Sequence, residues 1–339
     1  MKKTFVSIVF AATALVACNK EEAPVSVPSQ PAEKVNLVIG VEGSAATKVT
    51  GIQGNDTDET KVNSLQVFVF NGDLLDGYGF AENSKTASVE CTAGTREIYC
   101  VVNADDLSSI VTSKTVLLAQ VSSLGAGVSD FEMIGSKTEA VTQDGSINVP
   151  VDRFVSRVVV KKVTNALSAG LAAQTFTVKS IHLNNVAGDI DYAKTAGYSI
   201  ANWYHQTAFQ QANTIESIIA DQPEAVIPAG TSYDTDHFFY AYPNAEEHAA
   251  TVDWTPRRTT LVLKVQIGST LYDYPIVLPE LSGNHSYEID EVKITRPGNV
   301  DDGSEGGIDE QEPVDGASCS FTITINPWTV VPVTDGIVI

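Results

Sequence analysis

Short apolar runs with a period of two dominate the chain after residue 34. Residues 35–41 and 321–325 alternate apolar with polar side chains, which predicts strands with one buried face. Residues 65–70 form a mostly apolar run that stops at the turn signal Asn71-Gly72, which predicts a buried strand. Further strands are predicted at 97–103, 147–151, 157–163, 176–183, 238–242, 260–267, 271–278 and 287–295. Many short strands separated by turn residues indicate an all-β protein built from β-sandwich domains.

The length of 339 residues suggests about two domains. We place their boundary near Pro150, which gives an N-terminal domain at 35–150 and a C-terminal domain at 151–339. The first half also contains a helical pattern, in which Asp105 or Asp106 can be the N-cap of a helix that runs towards Gln120. One or two short helices are therefore expected beside the strands.

The first 34 residues have the composition of an export signal followed by a linker. Met1-Lys2-Lys3 is a charged start, residues 5–16 are an apolar run of signal-peptide length, and small residues precede Cys18. This pattern predicts a lipoprotein signal peptide at 1–17, with diacylglycerol on the Cys18 thiol. The alternative is a plain secretory signal whose cysteine is accidental. Residues 18–34 are rich in proline and predict a lipid-anchored linker.

The two ends of the remaining chain match each other. The early strand at 35–42 carries four aliphatic side chains on one face. The C-terminal tail at 329–339 has four aliphatic side chains at odd-numbered positions, which would share one face of a strand. These residues are Val35, Leu37, Ile39 and Val41 at the head and Val331, Val333, Ile337 and Ile339 in the tail. Each set can fill the same kind of apolar groove. Pro332 interrupts the backbone donors, so residues 333–339 are expected to insert as a donor strand, with Asp335 at the groove mouth.

A loop rich in Gly, Ser, Thr, Asp and Asn follows the early strand at 43–60. A trypsin-like protease can cut this loop between Lys48 and Val49. The cut severs the early strand from its domain, and departure of that strand exposes an empty groove with unpaired edges. The tail of another copy can then enter by strand addition, and a head-to-tail contact of this kind extends into a filament.

Charge excludes one class of partner. The chain has 21 basic and 42 acidic residues, a formal charge of −21, whereas nucleic-acid binding requires clustered Lys and Arg. Carboxylates are dense at 297–316, a Gly-rich segment without a basic residue. A solvated acidic loop is the favoured interpretation of this segment, and a cation site is the alternative, although the spacing does not fit an EF-hand.

No motif of a hydrolase, a nucleotide site or a zinc site occurs in the sequence, so neither enzymatic activity nor a cofactor is expected. Two short groups of polar residues are favoured as loops, and a metal site is the less favoured interpretation of each. The first group is Asp234, Asp236 and His237, and the second is Glu246, Glu247 and His248. Four aromatic residues can either pack or form a sugar-stacking platform: Trp203, Tyr204, Tyr242 and Trp254.

Cys91 and Cys100 form the one candidate disulfide. A hairpin loop centred on Thr95 and Arg96 would place the two thiols opposite each other. The alternative is that both remain half-buried thiols.

Several motifs along the chain resemble those of one family. They are the small residues before Cys18, the runs at 153–158, 238–244, 283–287 and 294–298, and a closing strand at 319–328 with an apolar tail. In this order and spacing the chain resembles, nearly end to end, the type V pilins, which are the fimbrillin family of the Bacteroidetes. The resemblance implies two transthyretin-like β-sandwich domains, export as a lipoprotein, proteolytic removal of the first strand and polymerisation by donor-strand exchange.

The implied function is that of a structural subunit of a cell-surface fimbria that supports adhesion. The implied partners are other copies, fimbrial accessory subunits, the outer membrane through the lipid of the precursor, and a host glycan or protein. Alternatives are a monomeric surface lipoprotein or tip adhesin that binds a glycan, and an anchor subunit that keeps its first strand. The best-known members are cut after Arg, but no Arg precedes Arg96 here, and Lys48 is the matching position.

Overall fold

The computed structural model describes residues 33–43, 59–125, 131–206, 216–249, 253–301, 310, 312–314, 316 and 318–328. The elements of the first half are β1 (Lys34–Gly43), β2 (Ser64–Asn71), β3 (Leu74–Glu82), β4 (Thr86–Thr92), β5 (Gly94–Val102), α1 (Lys114–Leu118), β6 (Val121–Ser123), β7 (Met133–Val141) and β8 (Gly145–Arg153). Seven of these strands form one sheet in the order β3-β2-β5-β7-β8-β1-β4. Strand β2 is buried on both faces, because it separates two hydrophobic cores.

The two ends of this sheet, β3 and β4, lie against each other. A Cβ atom added at Gly77 would lie 2.3 Å from the Glu90 carbonyl oxygen, and one added at Gly79 would lie 2.4 Å from that of Ser88. Only glycine permits so close an approach of two backbones. The sheet therefore curls until its ends meet, and it encloses the first core.

We expect Gly79→Ala to lower the free energy of unfolding by about 1–3 kcal/mol, because the new methyl group overlaps a strand backbone that cannot move away. Urea unfolding of the full chain measures the change. Gly145→Ala is the matched control, since its added Cβ meets nothing within 4 Å, and it should change the value by less than about 0.5 kcal/mol. Equal losses in the two variants would contradict the close packing of β3 against β4.

The second half contains three larger sheets. Its elements are β9 (Ser156–Val160), β10 (Val163–Asn165), β11 (Phe176–Asn184), β12 (Val186–Ala187), β13 (Asp189–Asp191), β14 (Trp203–Tyr204), α2 (Glu216–Ile219), β15 (Ala220–Asp221), β16 (Ala225–Val226), β17 (Ser232–Tyr233), β18 (His237–Ala241), β19 (Thr260–Ile267), β20 (Thr270–Val277), β21 (His285–Ile289), β22 (Val292–Ile294), β23 (Asn299–Val300), β24 (Cys319–Ser320) and β25 (Ile323–Pro327). The sheet orders are β17-β10-β22-β24, β15-β11-β19-β20-β23 with β16 on β11, and β18-β9-β21-β25. The second core lies among these sheets and extends to Phe68 and Phe70 on β2.

The predicted all-β class with short helices is confirmed. The predicted helix from Asp105 or Asp106 is wrong in extent, since α1 covers only Lys114–Leu118. The Asp106 carboxylate accepts from the Ser108 backbone N–H in a local turn, and Ser113 is the N-cap instead. Local side-chain bonds of this kind compete with helix formation.

The expected buried face at 321–325 is also wrong. Strand β25 begins at Ile323 and lies at the edge of its sheet, where Ile325 is exposed and Ile323 is half-buried, and Phe321 ahead of the strand is exposed as well. Alternation predicts a strand but not which side of it is covered. Among the described residues, no helix is long and apolar enough to cross a membrane.

Candidate strand-exchange groove

Strand β1 is hydrogen-bonded along both of its edges. It runs antiparallel to β4, with pairs from Lys34–Thr92 to Gly40–Thr86. It runs parallel to β8, with pairs from Leu37–Gly145 to Gly43–Val151. A strand near the N-terminus therefore occupies an inner position of the first sheet.

The inward face of β1 is apolar throughout. Val35, Leu37 and Ile39 are buried, and Val41 is half-buried. They pack in the first core with Ala87, Val89 and Cys91 of β4 and Val149 and Val151 of β8. Asn36 and Val38 point outward and are exposed, so β1 fills an apolar groove whose walls are β4 and β8. We call this space the β1 groove.

Strand β4 depends on β1 for its ladder. In the described part of the sheet, β1 is the only strand that pairs with β4. Departure of β1 would leave unpaired backbone groups on β4 and β8, an arrangement that attracts another strand. The contact of β4 with the glycines of β3 would still hold the far wall of the groove.

The predicted loop at 43–60 is shorter than expected. Gly43 is still paired with Val151, and Glu59 is buried at 1% exposure. Residues 44–58 between them, which include Lys48 and Val49, lie outside the described residues. Cys18 of the predicted lipid anchor also lies outside them.

Glu59 is held by two buried arginines and a tyrosine. Its carboxylate accepts from Arg157 Nη1 at 3.1 Å and from the Tyr240 hydroxyl. Its backbone carbonyl accepts from Arg153 Nε at 3.1 Å and from Arg153 Nη2 at 3.0 Å. Burial lowers the pKa of Arg153 to about 10, although the Glu59 carboxylate opposes that shift. Burial and the same carboxylate raise the pKa of Tyr240.

Trp328 completes this group. Its ring lies 4.3 Å from the Arg153 guanidinium carbon and 5.0 Å from that of Arg157. It also stacks on Tyr240, with ring centroids 5.8 Å apart. We call Glu59, Arg153, Arg157, Tyr240 and Trp328 the Glu59 cluster. The tail begins directly after Trp328, and the predicted donor residues Val331, Val333, Ile337 and Ile339 lie outside the described residues.

The chain matches a family model described as "Major fimbrial subunit protein (FimA)" over residues 34–196. The first curated relative, a major fimbrium subunit FimA type-2 of Porphyromonas gingivalis, is 32% identical over 126 residues, which cover 37% of this chain and 30% of that protein. A FimA type-3 subunit of the same organism is 23% identical over 283 residues, which cover 81% of this chain and 67% of that protein. Over residues 34–196, just under half of its length, the chain is similar to this fimbrial subunit family. The first relative is thus matched over about a third of its own length.

Solved structures share the fold of this chain. A fimbrilin from Porphyromonas gingivalis W83 aligns with a TM-score of 0.60 and 14% identity, over 88% of this chain and 98% of that one. A protein described as a cell adhesion protein, from Bacteroides eggerthii, aligns with a TM-score of 0.64 and 19% identity, over 88% of this chain and 97% of that one. The matching proteins are described as fimbrial subunits, which are structural proteins, and this agrees with the expectation that the chain is not an enzyme.

The acidic segment of the chain is partly buried, in its described residues, rather than wholly solvated. Lys264 Nζ lies 2.9 Å from Asp273, 2.7 Å from Asp301 and 3.0 Å from Glu310. Burial raises the pKa of Asp273 to about 7 against the opposing effect of Lys264. Burial alone would lower the pKa of Lys264, but Glu310 and Asp273 outweigh it and hold that pKa above its usual value. We call these four residues the Lys264 cluster.

The Lys264 ammonium lies among the carboxylates of Asp273, Asp301 and Glu310, in the place that a bound cation would take. In the described residues, no group of three or more His, Cys, Asp or Glu side chains could hold a metal ion. His237 of the first candidate polar group is instead 2.7 Å from Asp221. Asp234, Asp236, Glu246 and Glu247 are exposed and His248 is half-buried.

The predicted hairpin between Cys91 and Cys100 is not formed, and both residues are buried free thiols. After β4 the chain crosses at Ala93 and continues as β5, which pairs with β2 and β7 rather than with β4. The two cysteines therefore lie on strands that share no ladder. Burial raises the pKa of Cys100 to about 12.

The predicted aromatic platform is divided among packing contacts. Trp203 and Trp254 meet edge to face, with ring centroids 5.6 Å apart, and the Trp254 indole donates to Asn185. Tyr242 is buried, and its hydroxyl lies 2.6 Å from that of Ser122. Tyr204 lies over Gly188, where an added Cβ would be 2.3 Å from the ring. These contacts pack the second half and, through Ser122 on β6, join it to the first half.

The Glu59 cluster was not predicted from the sequence. Its members other than Glu59 lie within motifs that carry the family resemblance, but nothing in those motifs indicates a common partner. Glu59 lies in a polar segment and is separated from Arg153, Arg157 and Tyr240 by 94 to 181 positions. The only local signal is the unusual position of two arginines beside apolar residues at 153–158.

Proposed function

We propose that this chain is a fimbrillin, a structural subunit of a cell-surface fimbria that polymerises by donor-strand exchange and supports adhesion. In this proposal the precursor reaches the outer membrane as a lipoprotein, with lipid on Cys18. A trypsin-like protease cuts after Lys48, and β1 leaves with the lipid-anchored segment. The tail of another copy then enters the β1 groove through Val331, Val333, Ile337 and Ile339.

The position of β1 is the observation that carries the proposal. An inner strand is covalently joined to the rest of its sheet only through residues 44–58, which contain Lys48. A single cut there turns β1 into a separate segment held by its two ladders and four aliphatic side chains. The apolar walls of β4 and β8 remain, and they suit any segment with the same alternation.

The tail can bury as many aliphatic side chains in the groove as β1 does. Four aliphatic side chains contribute up to about 6–12 kcal/mol on full burial, before the entropy costs of ordering the strand. The removed strand contributes a similar amount. The free energy of burial in the groove therefore changes little when the tail replaces β1. Loss of the severed β1 into solution or with its lipid then favours the exchanged state. A copy that accepts one tail still donates its own, so the contact repeats along a filament.

The partners in this proposal are other copies of the chain and fimbrial accessory subunits. One solved structure that shares the fold, with a TM-score of 0.53 and 15% identity, is the tip fimbrial protein Mfa3 from Porphyromonas gingivalis. We place this chain in the shaft rather than at the tip or the anchor, because its tail has the alternation of a donor and its loop contains a cleavable Lys48.

The test uses residues 19–339 as a soluble precursor, treated with dilute trypsin and run on unboiled SDS gels with N-terminal sequencing. We expect a ladder of multimers whose new terminus is Val49. Sequencing is needed because Lys61 is also exposed, and a cut there would give Val62 instead. The variant Lys48→Gln should remain monomeric.

A chain truncated after Trp328 is the second control. It should be cut at Lys48 but should form no ladder, because it has a groove and no tail. Polymerisation of the truncated chain would overturn the proposed function. A single monomer band from the cut full chain would favour a lone surface lipoprotein, a tip adhesin or an anchor subunit.

A further inference from the structure

The side chains of Lys264 and Asp273 meet across two neighbouring strands. The two residues are register partners in the ladder of β19 and β20, and Lys264 Nζ lies 2.9 Å from Asp273 Oδ1. Each strand is paired on both of its edges, β19 with β11 and β20, and β20 with β19 and β23. The backbone therefore holds one amine against one carboxyl. Since a carbonyl bond is about 1.23 Å long, the carboxyl carbon lies within about 4.1 Å of the nitrogen.

This contact is shielded from water. The side chain of Asp273 is 0% exposed and that of Lys264 is 15% exposed. Within the described residues, neither oxygen of Asp273 has a hydrogen bond of normal geometry, and Lys264 is its ion-pair partner. Burial raises the pKa of Asp273 to about 7, so a substantial fraction of this carboxyl is protonated at neutral pH. A protonated carboxyl is open to attack by an amine, whereas a carboxylate anion resists it.

Glu310 can take the proton that the amine must lose before it reacts. Its Oε1 lies 3.0 Å from Lys264 Nζ, which is within reach for proton transfer. Its Oε2 accepts a hydrogen bond from Asn184 Nδ2 at 2.9 Å, and Asn184 is buried on β11. This bond fixes the Glu310 carboxylate beside the amine.

We propose that Lys264 and Asp273 condense to an amide, so that the folded chain forms an isopeptide bond between β19 and β20. The ion pairs of the Lys264 cluster are then those of the chain before condensation. The bond closes a covalent ring across the hairpin of these two strands. It does not depend on the proposed function, because both residues lie in the second half of the chain and outside the β1 groove.

The condensation balances without a further reactant. The Lys264 ammonium passes one proton to the Glu310 carboxylate, and the freed lone pair of the nitrogen forms a bond to the carboxyl carbon of Asp273. The bond from that carbon to its hydroxyl group then breaks. A second proton of the nitrogen joins the departing hydroxyl, which leaves as water, and Glu310 keeps the first proton. Groups held in this way react at effective molarities of about 10⁵–10⁸ M, so the carboxyl needs no separate activation.

Asp273 fits the role of acyl group best among the three carboxyls that contact Lys264. Its side chain is fully buried, whereas those of Asp301 and Glu310 are 13% and 8% exposed. It also lies on the strand that pairs with the strand of Lys264. An amide replaces a buried acid whose hydrogen bonding is incomplete, which removes a cost of its burial.

The test is a tryptic digest of the denatured full chain, analysed by mass spectrometry. An amide on Lys264 blocks trypsin after that residue, so residues 259–293 should appear as one peptide. We expect this peptide to be lighter than its sequence mass by about 18 Da, the mass of the released water. Cleavage after Lys264 without loss of mass would overturn the proposal. A link from Lys264 to a residue beyond 293 would overturn the assignment to Asp273.

Two variants separate the bond from other causes of resistance to trypsin. Lys264→Arg keeps the positive charge but presents a guanidinium, which does not form the amide. Trypsin also cuts after arginine, so this variant should give 259–264 and 265–293 as separate peptides of full mass. Asp273→Ala should be cut after Lys264 in the same way. An uncut 259–293 peptide in either variant would overturn the proposal.

Glu310→Gln tests the proton acceptor. Glutamine has a similar size and an oxygen that can accept from Asn184, but it cannot take a proton from an ammonium. We expect the bonded fraction of the 259–293 peptide to fall by at least about tenfold. An unchanged fraction would overturn the role of Glu310.

An exposed ion pair is the internal control of the same digest. Lys34 and Glu90 are in contact, but both side chains are more than half exposed, so water competes with the amine at the carboxyl. We expect no bond between them. A bond at this pair would show that contact alone is sufficient, and it would overturn burial as the cause of the reaction.

Discussion

Replacing Glu59 with alanine should lower the free energy of unfolding by about 3–5 kcal/mol, as expected when one partner of a buried ion pair is removed. Arg153 is fully buried and Arg157 is 5% exposed, so water cannot replace the lost carboxylate at either guanidinium. The Tyr240 hydroxyl also loses its acceptor. The carbonyl of residue 59 remains for Arg153, which places the expected loss at the lower end of this range.

Chemical unfolding of the full chain measures this loss. Glu90→Ala is a matched control, because Glu90 pairs with Lys34 at the surface, where both side chains are more than half exposed. Such exposed pairs contribute less than about 1 kcal/mol. The buried position of Glu59 would be contradicted if the two variants lost the same small amount of stability.

Lys264→Met should be comparably damaging, at about 3–5 kcal/mol near pH 8. The substitution keeps the apolar stem but leaves three carboxylates close together, with Asp273 fully buried. The pKa of Asp273 already stands at about 7 in the presence of the ammonium, and it rises further without it. The Asp273 carboxylate of the folded variant therefore binds a proton at a higher pH than that of the unfolded chain.

This shift makes the loss dependent on pH. The loss of stability in Lys264→Met is largest above the raised pKa of Asp273 and shrinks as the pH falls through it. The difference in the free energy of unfolding between variant and parent should therefore be larger at pH 8 than at pH 5. Lys162→Met, whose partner Glu291 is 3.8 Å away at a half-exposed site, should cost less than about 1 kcal/mol at both values. A deficit of equal size at the two pH values would argue against unpaired carboxylates as its cause.

Local patterns predicted the strands of this chain well. The alternation at 35–41 gives β1 and its buried Val35, Leu37 and Ile39, and the apolar run at 65–70 gives β2, which lies between two cores. These signals are local because the period of two follows directly from strand geometry. The same signal at 321–325 predicted a strand with a buried face, but the strand there has no buried face. It lies at the edge of its sheet, and that position depends on the order of the strands, which the local pattern does not contain.

Long-range partners explain most of what the sequence did not reveal. Cys91 and Cys100 look like a hairpin pair within ten residues, yet the ladder partners of their strands lie on β1, β2 and β7. Glu59 looks like part of a solvated loop until Arg153 and Arg157 are brought to it by the fold. Asp301 and Glu310 likewise find Lys264 only through the tertiary structure.

The inner position of β1 has a mechanical consequence. A strand at the edge of a sheet can be unzipped, one hydrogen bond after another, by a force across its ladder. A segment between β4 and β8 that is pulled along its own axis must shear the bonds of both ladders together. Tension along the strand is therefore shared by many bonds at once, and the joint resists a steady lengthwise pull far better than it resists peeling.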